Sequence, residues 1–145
     1  MYQHLLIATD GSELAGKAVS QGLELAKTLG SRVTVVVVSE PWTAIVSGEA
    51  VIAFPIQDYE RTVTANATAV LAAVAANAKS RGVACETVHA KDQYPAEGII
   101  ATASKQGCDL IVMASHGRRG LKRLFLGSQA NSVVSQSTIP VLVCR

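Results

Sequence analysis

The chain has 145 residues, 49% hydrophobic and 17% charged, with a formal net charge of +2. That length predicts one domain, residues 1–145, burying roughly two thirds of the surface its unfolded chain exposes, with no metal or disulfide staple needed. The small net charge argues against a nucleic-acid partner, and no apolar run approaches a membrane span or a secretory leader, so a cytoplasmic protein is expected.

Leu5 to Thr9 reads as a short strand, and Asp10-Gly-Ser-Glu13 has the Asp-x-x-Glu spacing of a capped helix start. Ala15, Val19, Gly22, Leu25, Ala26 and Leu29 recur at helical spacing, and Gly30 is placed to end the element. Arg32 to Ser39, mostly valine, predicts a strand buried on both faces and near the middle of a parallel sheet. Residues 40 to 55 have no clear period and read as a loop. A second helix is predicted from Ile56 to Arg81, with Tyr59, Val63, Ala67, Val70, Val74 and Ala78 on one stripe and Gly82 as its stop. Val83 to Ala90 gives a third strand. Pro95 suits the first turn of a third helix, with Ala96, Ile99, Ile100 and Ala103 inward and Gly107 at its end. Asp109 to Ala114 forms a fourth strand, Ser128 to Ser135 a fourth helix, and the apolar close of the chain a fifth strand.

Alternation of strands with helices argues for an α/β fold, an open parallel sheet covered on both faces. Cys85, Cys108 and Cys144 lie apart with no Cys-x-x-Cys pair, so buried reduced thiols are expected and neither metal nor disulfides.

The segment after the fourth strand carries the chemistry. Ala114-Ser-His-Gly117 is followed by nine residues and then Gly127-Ser128, a strand, a glycine-bounded loop and a helix start. Helix starts leave backbone N–H groups free, and the peptide dipoles favour negative charge there. Gly117 and Gly127 let backbone approach a ligand, and successive N–H groups can form an anion nest. Ser128 can cap the helix, or touch a phosphate oxygen or a cation's water. Ordinary turn glycines and a plain cap explain the same residues, so local chemistry leaves both readings open. The basic run Arg118, Arg119, Lys122 and Arg123 can neutralise phosphate or face water.

These residues, with Leu6-Ile-Ala-Thr-Asp10-Gly-Ser12, the strand ending near Val38 and the closing Ile139-Pro-Val-Leu-Val-Cys144, resemble the ATP-binding branch of the universal stress protein family across the whole chain. The resemblance implies a five-stranded sheet of order 3-2-1-4-5, with a crevice at the carboxyl ends of strands one and four where Asp10 and the 114 to 128 loop meet. It implies ATP with magnesium or manganese, and a nucleotide site formed by Ala8, Thr9, Asp10, Val38, Met113, Ala114, Ser115, His116, Gly117, Arg118, Gly127, Ser128 and Gln129. Asp10 would lie near adenine or ribose, and Val38 would offer backbone N–H and C=O to the adenine edge. Ala114 replaces the family's first motif glycine, which puts a methyl where backbone is expected to pass close to ribose or phosphate.

Gly11-Ser-Glu-Leu-Ala-Gly16-Lys17 formally matches a P-loop but has Ala18 where the motif needs Ser or Thr for magnesium, and no Gly-x-Gly-x-x-Gly occurs. No catalytic residue and no protein metal ligand is assigned, because no Ser-His-Asp set, paired carboxylates or positioned arginine is identifiable. The expected role is a stress-response regulator that binds ATP. A slow hydrolase or phosphotransferase using His116 or Asp10, and a nucleotide-free dimerisation module, are the alternatives. A homodimer is expected through Val141, Leu142, Val143 and Cys144, an apolar closing strand that is otherwise an aggregation hazard.

Overall fold

The computed structural model describes residues 1–43, 55–117 and 125–145. Among them the chain runs β1 (His4–Ala8), α1 (Glu13–Leu29), β2 (Arg32–Val38), α2 (Ile56–Ser80), β3 (Cys85–Ala90), α3 (Pro95–Gln106), β4 (Leu110–Ala114), α4 (Ser128–Gln136) and β5 (Val141–Cys144). The strands form one sheet of order β3-β2-β1-β4-β5, and every neighbouring pair is parallel. This is the expected α/β architecture and strand order. Most of the interval 40 to 55, and the basic run from Arg118 to Arg123, lie outside the described residues.

Alternation along the strands divides the core in two. Leu5, Ile7, Val33, Val35, Leu110, Val112 and Ala114 meet α1 and α2. Leu6, Ala8, Val36, Ile111 and Met113 meet α3 and α4. β1, β2 and β4, covered on both faces, are therefore built almost wholly of apolar residues, as a doubly covered parallel sheet requires. At Gly22 α1 packs closely on the sheet: a Cβ there would lie 2.7 Å from Ile7 Cδ1 and 3.3 Å from Val112 Cγ1.

The predicted helix stops hold. Gly30 and Gly107 both close their helices at φ 69°, each donating its N–H to carbonyls of the last turn. Two details differ. The cap of α1 is Ser12, whose Oγ accepts from Ala15 N at 3.3 Å, and not Asp10, which lies outside the helix in its own turn. The buried face of α1 includes Ala18 and Leu23, whereas Leu29, its last residue, clears the sheet and is exposed.

Cys108 and Cys144 are buried, and Cys85, at the start of edge strand β3, is half-buried rather than fully buried. Burial pushes the Cys108 thiol up to about 11 and raises the other two, so all three stay protonated thiols near neutrality.

Candidate functional site

In this strand order the chain leaves β1 towards β2 on one side and leaves β4 towards β5 on the other. The loops beyond the carboxyl ends of β1 and β4 therefore diverge, and a crevice opens between them. It measures about 580 Å³, and twelve of the thirteen residues expected in a nucleotide site line it: Ala8, Thr9, Asp10, Val38, Met113, Ala114, Ser115, His116, Gly117, Gly127, Ser128 and Gln129. The thirteenth, Arg118, lies outside the described residues.

The β1 side is a tight turn. Thr9 Oγ1 accepts from Gly11 N at 3.2 Å and Asp10 Oδ1 accepts from Ser12 N at 2.9 Å. Gly11 occupies φ 80°, where a side chain would be strained. These bonds fix the Asp10 carboxylate against the second motif: a Cβ on Gly117 would stand 2.8 Å from Asp10 Oδ2. Residues distant in sequence thus share one wall.

The β4 side is fastened at both ends. Ser115 N donates to Cys144 O at 2.7 Å, and Ser115 O accepts from Gly127 N at 2.8 Å, so the loop returns to its own root. Gly127 has an ordinary φ of −60°, and its glycine is explained by space: a Cβ would meet Ser115 O at 2.9 Å and the His116 Cα and ring at 3.3 Å. Gly127 is also the N-cap of α4, with Ser128 at the first helical position, so Ser128 is not the cap. A glycine cap has no side chain to bond the first-turn amides, and no side-chain cap bond is made. The N–H groups of Ser128, Gln129 and Ala130 thus begin a nine-residue helix at the crevice wall with its positive dipole end there. His116 lies beside them, its Nδ1 3.1 Å from Ser115 Oγ.

At the opposite end β2 outruns β1. The last β1–β2 pairing is Ala8 with Val36, followed by one bond from Thr9 N to Val36 O. Ser39 N, in the peptide unit that holds the Val38 carbonyl, donates to Ala90 O of β3 at 2.9 Å. The Val38 C=O therefore points the other way, into the space β1 has vacated, and its N–H shares that side because an extended residue directs both groups alike. A donor and an acceptor stand side by side at the crevice edge.

Between these polar ends the wall is apolar, formed by Val36, Val38, Pro95, Ile99 and Met113. An elongated cleft results, with a peptide edge at one end, apolar sides suited to a planar ring, and uncapped helix amides at the other. Ala114 falls with Leu110 and Val112 on the α1 face of the sheet, and its methyl belongs to that core. On that side Ala114 lines the crevice together with Ala15 of α1.

Sequence reasoning missed Ala15, Val36, Glu40, Pro95, Ile99, Phe125, Leu126 and Ala130 as lining residues. Pro95 and Ile99 carried a signal, since both belong to the start and inward face of the third predicted helix. Glu40 and Phe125 carried none. Among the described residues no group of three or more His, Cys, Asp or Glu could hold a metal ion, and no helix is long and apolar enough to cross a membrane.

A model of the universal stress protein family matches residues 1–145. Universal stress protein YxiE of Bacillus subtilis is 31% identical over 149 aligned residues, with both chains wholly covered. The solved structure of protein MJ0577 superposes with a TM-score of 0.84 at 28% identity, covering 99% of this chain and 96% of the other; MJ0577 is a universal stress protein of Methanocaldococcus jannaschii. A universal stress protein of Archaeoglobus fulgidus solved in complex with dAMP superposes with a TM-score of 0.72 at 18% identity, covering 99% and 98% of the two chains, a likeness of fold.

Proposed function

The chain belongs to the universal stress protein family, and on that premise we propose that it binds ATP, together with magnesium or manganese, in the crevice at the carboxyl ends of β1, β2 and β4. The observation that carries this reading is the pairing of two unlike polar ends across one apolar cleft. At the Val38 end a peptide N–H and C=O match the adjacent acceptor and donor of an adenine edge. At the α4 end uncapped amides and a helix dipole suit phosphate. Asp10, next to Gly117, would accept from the hydroxyls of a ribose set between the two. The metal would ride on the phosphates, with the Ser128 hydroxyl near one of its waters. The dAMP complex of the Archaeoglobus relative supports an adenine nucleotide as the ligand class.

In this reading the protein is a single-domain cytoplasmic regulator of the stress response, sensing nucleotide more than consuming it. It pairs with a second copy through β5, the outer strand of the sheet, where Leu142 is 40% exposed, an apolar edge of the sort a partner strand covers.

Calorimetric titration of ATP with magnesium, on protein stripped of carried-over nucleotide, tests the site with Ser128→Glu as the variant. A carboxylate in the first turn of α4 suits the helix dipole, so the fold is retained, while it repels phosphate from the same amides. Binding by the wild type that weakens at least tenfold in Ser128→Glu is expected. No binding by folded, stripped wild type would instead leave a nucleotide-free dimerisation module.

A further inference from the structure

We propose that Glu40 is a specificity-determining residue of the crevice, accepting a hydrogen bond from the exocyclic amine of the purine; the inference rests on the adenine nucleotide reading above. An adenine edge set against the Val38 peptide gives one amine hydrogen to the Val38 carbonyl and accepts from the Val38 N–H. The amine carries a second hydrogen, and a donor left unbonded in a desolvated cleft costs roughly tenfold or more in affinity. It needs an acceptor beyond Val38.

Glu40 is the next lining residue along that strand, and it is half-buried. Its backbone is held from two sides. Ser39 N donates to Ala90 O at 2.9 Å, Ser39 O accepts from Gln93 N at 3.2 Å, and Ser39 Oγ lies 2.7 Å from His89 Nε2. The Tyr59 hydroxyl of α2 donates to the Glu40 carbonyl at 2.7 Å. Burial, and then the charge of Lys91, lowers the His89 pKa and keeps that ring neutral. That fixed backbone sets Glu40 at the Val38 end of the crevice, on the divide from a neighbouring cavity lined by Tyr59, Lys91 and Asp92. The ion pair seen among the described residues joins Arg81 and Glu24, not Glu40.

A carboxylate there has two effects. It accepts only, so it favours a six-position amine and opposes a six-position carbonyl, as in guanine or hypoxanthine. Its negative charge also disfavours phosphate at this end, which orients the nucleotide with its phosphates towards α4.

The test is a cycle between ligand and protein. ATP and N6-methyl-ATP, which has lost one amine hydrogen, are titrated with magnesium into the wild type and into Glu40→Ala, with Glu40→Gln as the variant that keeps an acceptor. The wild type is expected to lose about tenfold in affinity on methylation. In Glu40→Ala the methylation penalty should fall to less than threefold, while Glu40→Gln retains most of it. An equal penalty in wild type and Glu40→Ala would overturn the role of Glu40 and leave the nucleotide site standing. Failure of the wild type to bind ATP at all would overturn both.

Discussion

The two ends of the sheet are built from the same strands and do opposite things. At the amino end the starts of β1, β2 and β4 are bonded together. The Asp109 carboxylate accepts from Gln3 N at 2.8 Å and His4 N at 3.0 Å, while Asp109 N donates to His4 O and Arg32 N to Gln3 O. His4 Nε2 lies 2.8 Å from Thr34 Oγ1 inside the α3 and α4 core, and among the described buried side-chain atoms only His4 Nδ1 lacks a partner. At the carboxyl end the same strands separate, leaving the Val38 N–H and C=O and the first-turn amides of α4 without strand or cap partners among the described residues. Polar backbone satisfied within the chain stabilises it; polar backbone held rigid and left open is what a ligand can use.

The sharpest break in that comparison is a change that closes the open end. Gly127→Val places a side chain against Ser115 O and the His116 backbone, where a Cβ alone would stand at 2.9 and 3.3 Å. The loop must shift, costing about 1–3 kcal/mol of stability, and ATP binding should vanish. Thermal melting and calorimetry on one sample check both. Retained binding would show that the loop's return to Ser115 is dispensable to the site.

Opening the closed end should do the reverse. Asp109→Ala removes the acceptor from two strand-start amides, with an expected stability loss of about 1 kcal/mol in a denaturant melt and unchanged ATP affinity. An affinity change would mean that the two poles are coupled through β4.

The smallest effect is one of pH. Burial first, and then the charge of Arg32, lowers the His4 pKa below its ordinary value of 6.5, outweighing Glu86, Asp109 and the nearby Gln106 carbonyl, which act the other way. The unfolded chain therefore takes up this proton at higher pH than the folded chain, and stability falls as pH drops below about 6.5 until the folded His4 also titrates. Burial acts to raise the Asp109 pKa, but the backbone bonds from Gln3 and His4 outweigh it and hold the carboxyl below its ordinary value, so it remains ionised in that window and does not contribute. Melts between pH 7 and 5 should show the decline in the wild type and a flatter profile in His4→Gln.

Legibility in the sequence followed the range of the interaction. The valine run of β2 and the glycine stops after α1 and α3 were readable because each is a local pattern with a local cause. Asp10 and Ser128 line the crevice, and only the cap reading of each fails. Ser12 and Gly127 are the caps, and several oxygen-bearing or small residues near a helix start compete for that position on criteria of geometry alone. The orientation of the Ala114 methyl depended on strand parity within the sheet, and the lining role of Glu40 on where β1 ends relative to β2.

By itself the sequence determined the alternation of strands and helices, the doubly buried strands and a helix start able to receive an anion, because hydrophobic period and glycine geometry act within a few residues. Family resemblance supplied the strand order and the pairing of Asp10 with the second motif. Only the tertiary structure decided that β2 runs on past β1 to bare the Val38 peptide, that Gly127 must lack a Cβ because it touches Ser115 O, and that Glu40 reaches the crevice. Each of these depends on the relative length and register of segments distant in sequence, a property that no local pattern encodes.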